Sequence, residues 1–239
     1  MQQFIDNLAS LSVGEARIAR NLAVFPVFSG LKSALEYQTL SEAVASGGAR
    51  IREVSESGVV SDIVLENRSS KPILILDGEE LIGAKQNRTA NVTILAPAGK
   101  TTRIPVTCVE AGRWSSGPTD FGVAERVHYS RGRARKMETV SRAMESGSRH
   151  ADQGMVWDDI REKSVRMSVE SPTGAISDVF EGHAASLSDY VEKLRAEPGQ
   201  TGAVFAIDGR VEGLEFFDSA ATFAKLHPQT MCVGRIVTS

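Results

Sequence analysis

The feature that most constrains the fold is a succession of short apolar runs, separated by turn residues, in residues 16–114. Gly47–Gly48, the SESG sequence at residues 55–58 and Pro97–Gly99 interrupt runs that are rich in β-branched and aromatic side chains. Many short strands with frequent turns are typical of antiparallel sheets that pack or curl around one core. The pattern therefore predicts a mainly antiparallel β sandwich or a partly open barrel over about residues 16–114.

The individual runs define the expected strands. Proline has no N–H for a ladder, so Pro26 places the first run, ARIARNLAVFPVFS, at a sheet edge or a bulge. The other expected strands are Leu31–Tyr37, Ala49–Val54, Val59–Glu66, Ile73–Leu76, Asn91–Ala96 and Thr101–Val109. One short helix interrupts them, because Thr39 and Glu42 have the spacing of a capping box.

The C-terminal half predicts helices and a β-hairpin. A helical pattern begins near Gln153, and Asp208–Gly209 between two apolar runs is a strong hairpin signal. A last helix would begin at Asp218, end before Pro228, and precede a strand at Met231–Val237. The expected fold class is therefore α+β, with strands first and with helices and a β-hairpin later.

Length and composition predict a single domain over residues 1–239, because 41% of the residues are hydrophobic and 24% are charged. It would consist of a β-rich part (16–114), a basic flexible segment (115–150) and a helical part with the hairpin (151–239). Arg126–Arg142 contains six Lys and Arg residues against one Glu. This stretch is either an arm that closes over an anionic ligand or a solvated linker helix.

Charge and hydropathy exclude several classes of partner. A net charge of −3 argues against nucleic acid, and no apolar run is long enough to span a membrane. The N-terminal sequence lacks the pattern of a secretory signal, and two cysteines, Cys108 and Cys232, give no disulfide framework. We therefore expect a soluble, cytoplasmic protein whose oligomeric state the sequence leaves open.

Polar side chains concentrate in DGEELIGAKQNR, residues 77–88, between two apolar strands. The candidate ligand-binding residues in it are Lys85, Gln86, Asn87 and Arg88, whose donors and acceptors suit a phosphate or carboxylate ligand. Glu79 and Glu80 are candidate catalytic residues that would orient a sugar hydroxyl or act as a general base. Alternation points them to opposite faces, one inward and the other solvated. The alternative is an ordinary charged turn.

A second concentration is TCVEAGRW, residues 107–114. Glu110, a third candidate catalytic residue, follows Cys108 on the core-facing side of its strand and needs a partner there, either Arg113 or a donor from residues 77–88. Arg113 would also hold phosphate, and Trp114 would stack on a base or ring. The candidate ligand-binding set is therefore Lys85, Gln86, Asn87, Arg88, Cys108, Arg113 and Trp114.

The sequence names no cofactor. Cys108 is most simply a small core residue, since a nucleophilic thiol requires a neighbouring base or cation and no Cys–His pair is recognisable. The histidines lack metal-ligand spacing, so no metal site is predicted, although carboxylate-bound Mg²⁺ stays open. Signatures of P-loop enzymes, dinucleotide-binding Rossmann folds, α/β serine hydrolases and zincins are also missing.

Four segments, NLAVFPVF, GEELIGAKQNR, IPVTCVEAGRW and QGMVW, resemble the ARG and Rhodanese-Phosphatase-superfamily-associated Protein domain family. The resemblance covers most of the chain and implies no established mechanism. The family's name indicates association with enzymes of ADP-ribose and phosphate chemistry, which favours a phosphorylated, nucleotide-derived ligand by analogy.

Two functions follow from these observations. The first is a domain that binds, and in one version also transforms, an anionic ADP-ribose-like small molecule at the two polar stretches. The second is a non-catalytic scaffold or interaction domain, in which Glu80 and Glu110 pair with Arg88 and Arg113 in an internal structural network.

Overall fold

A computed structural model describes residues 8–31, 33–115 and 120–234. Its contacts divide the chain into two compact units, which are described separately. Of the described residues, one unit combines those up to Leu35 with those from Ala184 to residue 234, and the other comprises those of Glu36–His183. The single domain expected over residues 1–239 stays a prediction.

The strands are β1 (Ser12–Val13), β2 (Arg17–Ala19), β3 (Leu22–Phe28), β4 (Gln38–Thr39), β5 (Ala49–Glu53), β6 (Asp62–Asn67), β7 (Ile73–Ile75), β8 (Glu79–Gly83), β9 (Arg88–Ala90), β10 (Ile94–Ala96), β11 (Thr101–Cys108), β12 (Asp120–Val127), β13 (Gln200–Ile207) and β14 (Arg210–Phe216). The helices are α1 (Leu40–Ala45), α2 (Ser130–Met144), α3 (Gln153–Arg166), α4 (Ile176–Gly182), α5 (Ala184–Lys193) and α6 (Ala220–Gly234).

The central element of the unit Glu36–His183 is a closed antiparallel barrel with strand order β11-β6-β5-β12-β8-β9. Alternate residues of its strands, among them Ile51, Leu65 and Leu81, form one buried apolar core. The α+β class is confirmed. The barrel is closed rather than partly open because β12, beyond the predicted strand region, pairs with both β5 and β8.

A three-stranded sheet, β10-β7-β4, and α1 complete the β-rich part. The predicted capping box is confirmed, since the Thr39 side chain accepts from the Glu42 backbone and the Glu42 carboxylate accepts from the Thr39 N–H. The strand predicted at Leu31–Tyr37 is wrong for residues 33–37, because a strand begins only at Gln38. Leu35 in this stretch is half-exposed.

Helix α2 lies within the basic segment for which a flexible arm or a linker helix was expected. Gly132, Lys136 and Val140, four residues apart, form its buried face. Helix α3 begins at Gln153 as predicted, and its N-cap Asp152 accepts from the Met155 N–H. Residues 116–119 of the basic segment lie outside the described residues.

The other unit contains a sheet in the order β1-β3-β13-β14, with β2 paired to β3. The predicted hairpin is confirmed as β13 and β14 around Asp208 and Gly209, both with positive φ. The last helix differs from its prediction. Ser219, not Asp218, caps its first turn, because the Ser219 hydroxyl accepts from the Thr222 N–H.

Pro228 lies inside α6 and does not end it. The buried side chains of Phe223, Leu226 and Met231 hold the helix together across the missing N–H, so packing outweighs propensity. The strand expected at Met231–Val237 is wrong up to residue 234, which is helical, and residues 235–237 lie outside the described part. Across the described residues, every helix is too short or too polar to traverse a bilayer.

Candidate functional site

One end of the barrel, here called the mouth, collects charged side chains on the inner face of the strands. Strands β5, β8 and β11 end here, and β9 and β12 begin here. Arg88 is opposite Cys108 in one ladder and Leu81 in the other. Arg88 therefore lies on the inner face of the barrel, as Ala90 does, at the mouth end of the apolar core.

Arg88 is completely buried and incompletely hydrogen-bonded. Its Nη1 donates to Gln86 Oε1 at 2.7 Å, whereas Nη2 lies 4.0 Å from Glu53 Oε1. Arg88 Nε and Nη2 and both carboxylate oxygens of Glu53 are buried without a hydrogen-bond partner. Burial lowers the pKa of Arg88, while Cys108 and Glu53 oppose that change. Buried polar atoms are normally paired, so this set, which joins a buried cation and a buried carboxylate, is one of the exceptions among the described residues that call for an explanation.

Trp114 and Lys85 lie over Arg88. The centroid of the Trp114 ring is 5.7 Å from Arg88 Cζ and 5.7 Å from Lys85 Nζ, and the ring is 49% exposed. Gly58, with φ of +75°, fits beside them because a Cβ there would lie 2.8 Å from Lys85 Cδ and 3.3 Å from Glu53 Oε2. We call Glu53, Lys85, Arg88, Cys108 and Trp114 the mouth cluster.

The Cys108 thiol is buried beside Arg88 and donates to the Glu110 carbonyl oxygen at 3.3 Å. Burial raises its pKa, although the Glu110 backbone, Arg88 and Trp157 act in the opposite direction. A raised pKa disfavours the thiolate that nucleophilic chemistry requires. The side chain of Cys232 lies outside the described part of the chain.

Glu110 is held by residues from both predicted polar stretches. Its Oε2 accepts from Arg113 Nη2 at 2.6 Å and from the Asn87 N–H at 3.1 Å, and its Oε1 accepts from Thr173. Burial alone would raise the pKa of Glu110, but these hydrogen bonds outweigh it and the pKa is lowered. The structure therefore brings the two polar stretches together, with Arg113 as the partner of Glu110.

Glu79 and Glu80 lie on opposite faces of β8, as alternation predicts, and neither belongs to the mouth cluster. Glu79 Oε2 accepts from the Leu76 N–H at 3.0 Å, and burial raises its pKa to about 7. Glu80 Oε2 accepts from Arg126 Nε at 2.5 Å on the outer face.

The expectation that one of these two carboxylates is solvated is wrong, since both are buried. The outer face of the barrel is covered at Glu80 because the Phe180 ring of α4 lies 5.1 Å from Arg126 Cζ. Burial raises the pKa of Glu80, Arg126 opposes this, and the charges of Glu181 and Glu110 add to the rise.

Sequence reasoning missed Glu53. A signal was present, because alternation in ARIRE puts Ala49, Ile51 and Glu53 on one face, and a carboxylate at the end of an apolar face is unusual. It also missed the ionic contacts between the barrel and its helices, here called the wall cluster, which comprises Asp77, Tyr129, Arg135, Lys136 and Asp159.

In the wall cluster, Lys136 Nζ donates to Asp77 Oδ1 at 2.6 Å and to the Ala90 carbonyl oxygen. The Tyr129 hydroxyl donates to Asp159, which also accepts from Arg135 Nη1 at 2.7 Å. Among the described residues, no three His, Cys, Asp or Glu side chains are placed to hold a metal ion.

Comparisons with known proteins place the chain in a family but not beside a characterised relative. No curated protein matches the chain, and neither does any solved structure. A family model matches residues 10–236, nearly the whole chain, and agrees with the resemblance carried by the sequence motifs. The chain belongs to the ARG and Rhodanese-Phosphatase-superfamily-associated Protein domain family.

Proposed function

We propose that the mouth cluster binds a phosphorylated, nucleotide-derived small molecule such as an ADP-ribose-like compound. The observation that carries this proposal is the guanidinium of Arg88, whose Nε and Nη2 have no hydrogen-bond partner although the side chain is completely buried. These two nitrogens form one edge of the planar fork, and that edge matches two oxygens of a phosphate. A phosphate would therefore satisfy donors that the protein leaves unsatisfied.

Lys85 and Trp114 support the same ligand class. Lys85 brings a second positive charge to the mouth, and the half-exposed indole of Trp114 offers a stacking surface for a base. Because Arg88 is completely buried below the Trp114 ring, binding at Arg88 would require the Trp114 side chain to move aside. The association recorded in the family's name favours an ADP-ribose-like ligand by analogy.

Thermal-shift and calorimetric titrations with ADP-ribose test the proposal. A ligand at about 100 times its Kd stabilises by about 2.7 kcal/mol, or roughly 5–10 °C for a chain of this length. Lys85→Ala and Trp114→Ala should each weaken binding about tenfold. Lys100→Ala is the matched control, because Lys100 is exposed at the turn before β11, at the opposite end of the barrel.

Two outcomes would contradict the proposal. Absence of a shift with ADP-ribose would remove this ligand class. Equal binding by the wild type, Lys85→Ala and Trp114→Ala would remove the mouth as its place. The catalytic role predicted for Glu79, Glu80 and Glu110 stays a prediction.

A scaffold or interaction domain is the second candidate, and the complete pairing of Glu110 favours it. Arg113, Asn87 and Thr173 together satisfy both oxygens of this carboxylate and tie the loop after β11 to the loop after β8. The network differs from the one expected, because Glu80 pairs with Arg126 and Arg88 faces Glu53. The Glu110→Gln variant tests this candidate. A loss of stability with unchanged ADP-ribose binding would assign this carboxylate a structural role.

A further inference from the structure

We infer that Glu53 makes the mouth selective for ligands that present a vicinal diol beside the phosphate, as ribose does. This inference rests on the proposed function, since it concerns the same ligand. Glu53 ends β5 on the inner face of the barrel, directly before the segment that contains Gly58. It is the carboxylate that faces Arg88, in place of the three that the sequence nominated.

The hydrogen-bonding state of Glu53 defines what it can accept. The side chain is completely buried, and neither Oε1 nor Oε2 has a hydrogen-bond partner. The nearest cation is Arg88 Nη2 at 4.0 Å, which is beyond hydrogen-bond distance. A carboxylate with two unsatisfied oxygens accepts two donors at once. Two adjacent hydroxyl groups supply those donors on a single ligand.

The pairing of Glu53 with Arg88 restricts the ligand further. An anion that contacts Arg88 comes close to the Glu53 carboxylate, and repulsion in a buried site is strong. A bare phosphate or pyrophosphate therefore meets a like charge at Glu53 and has no pair of adjacent hydroxyl groups for its two oxygens. A ribose phosphate places its anionic group on Arg88 and its hydroxyls on Glu53, so both protein side chains obtain the hydrogen-bond partners that they lack.

Other carboxylates near the mouth do not fill this role. Both oxygens of Glu110 are already satisfied by Arg113, Asn87 and Thr173. Glu80 accepts from Arg126 on the outer face of the barrel. Gly58 packs closely against Glu53 and Lys85, since a Cβ there would lie 3.3 Å from Glu53 Oε2 and 2.8 Å from Lys85 Cδ, so a side chain at this position would displace Lys85.

Calorimetric titration of the full chain with ADP, 2′-deoxyADP and pyrophosphate tests the inference. We expect the wild type to bind ADP at least about tenfold more tightly than 2′-deoxyADP, because the deoxy ligand leaves one Glu53 oxygen unsatisfied. Pyrophosphate should bind most weakly. In Glu53→Gln the preference for ADP over 2′-deoxyADP should fall to about twofold or less, and pyrophosphate should bind about tenfold more tightly than to the wild type.

Glu66→Gln is the matched control. Glu66 lies on β6 with its side chain bonded to Arg52 and Arg68, so the wild-type order of ligands should persist. If Glu53→Gln fails to fold, the order of affinities in the wild type decides the matter by itself, since it requires no variant.

The possible failures are distinguishable. Equal affinity for ADP and 2′-deoxyADP, or pyrophosphate binding as tight as that of ADP, would overturn the inference and leave phosphate binding at Arg88 standing. Failure of ADP to bind would also overturn it. The proposed function itself falls if ADP-ribose fails to bind as well, or if Lys85→Ala and Trp114→Ala bind ADP-ribose as tightly as the wild type does.

Discussion

The mouth cluster and the wall cluster both bury charged side chains in the unit Glu36–His183, but they differ in how those charges are partnered. In the wall cluster, Lys136 Nζ is bonded to Asp77 Oδ1 at 2.6 Å and to a backbone carbonyl oxygen. In the mouth cluster, Arg88 Nη2 and Glu53 Oε1 are 4.0 Å apart and have no hydrogen-bond partner.

The difference indicates that buried charged side chains have two different roles in this unit. A buried ion pair with good hydrogen-bond geometry holds two layers together, here the barrel and helix α2. A buried pair without hydrogen bonds retains most of its desolvation cost, which a ligand that bonds to both partners would offset. Stability measurements on matched variants of the two clusters therefore separate structure from binding.

The largest effect is expected in the wall cluster. The loss of one partner of a buried pair costs about 3–5 kcal/mol, and because Lys136→Met leaves Asp77 with Arg133 Nε at 3.3 Å, we expect a loss of about 3–4 kcal/mol. Urea denaturation measures the free energy of unfolding. Arg142→Ala on the same helix is the control, because its exposed pair with Glu138 should contribute less than about 1 kcal/mol. Equal losses in both variants would contradict the structural role of the wall cluster.

Glu79 extends the comparison to a buried carboxyl for which the described residues provide no cation partner. Burial raises the folded-state pKa of Glu79 to about 7 from the ordinary value of 4.5. Between these values the folded state keeps a proton that the unfolded state has released, so the free energy of unfolding falls as pH rises through this window. At about 1.4 kcal/mol for each pKa unit, the loss is about 3 kcal/mol by pH 8.

Glu79→Gln should therefore be more stable than the wild type by about 3 kcal/mol at pH 8 and equal to it near pH 4. The amide oxygen keeps the acceptor for the Leu76 N–H, so that bond is retained. Urea denaturation at both pH values gives the comparison. A difference that is the same at pH 4 and pH 8 would rule out titration of Glu79 as its origin.

The smallest effect is expected in the mouth, and it has the opposite sign from that at Lys136. The double variant Glu53→Leu, Arg88→Met removes two buried charges that make no hydrogen bond to each other, and such replacements stabilise by about 2 kcal/mol. The matched double variant Asp77→Leu, Lys136→Met should give no gain, because it removes made hydrogen bonds. A large loss of stability in the mouth variant would assign Arg88 and Glu53 to structure.

Local patterns in the sequence predicted much of this architecture. The capping box at Thr39 and the hairpin at Asp208–Gly209 depend on residues that are adjacent in the chain, and both are present. The contact of Arg113 with Glu110 was also predicted, since a carboxylate on the core-facing side of a strand requires a nearby donor.

Closure of the barrel and the position of Glu53 were not predictable in the same way. Closure depends on β12 pairing with β5 and β8, which are distant in sequence, and no local signal selects that register. Whether Glu53 faces Arg88 or solvent depends on which strand lies across the mouth. The continuation of α6 through Pro228 likewise depends on the packing of Phe223 and Leu226. Helix propensity, which is a property of the local sequence, gives no information about this packing.

The side chain of Gln153 provides a way to monitor experimentally how helix α3 docks at the mouth. Its amide donates to the Cys108 carbonyl oxygen at 2.8 Å and accepts from the Cys108 N–H at 2.9 Å, the two bonds that a neighbouring strand residue would make. One glutamine at the start of α3 thus extends the ladder by a single rung. The amide proton of Cys108 should exchange with solvent only when α3 separates from the barrel, which makes that one resonance a probe of helix docking.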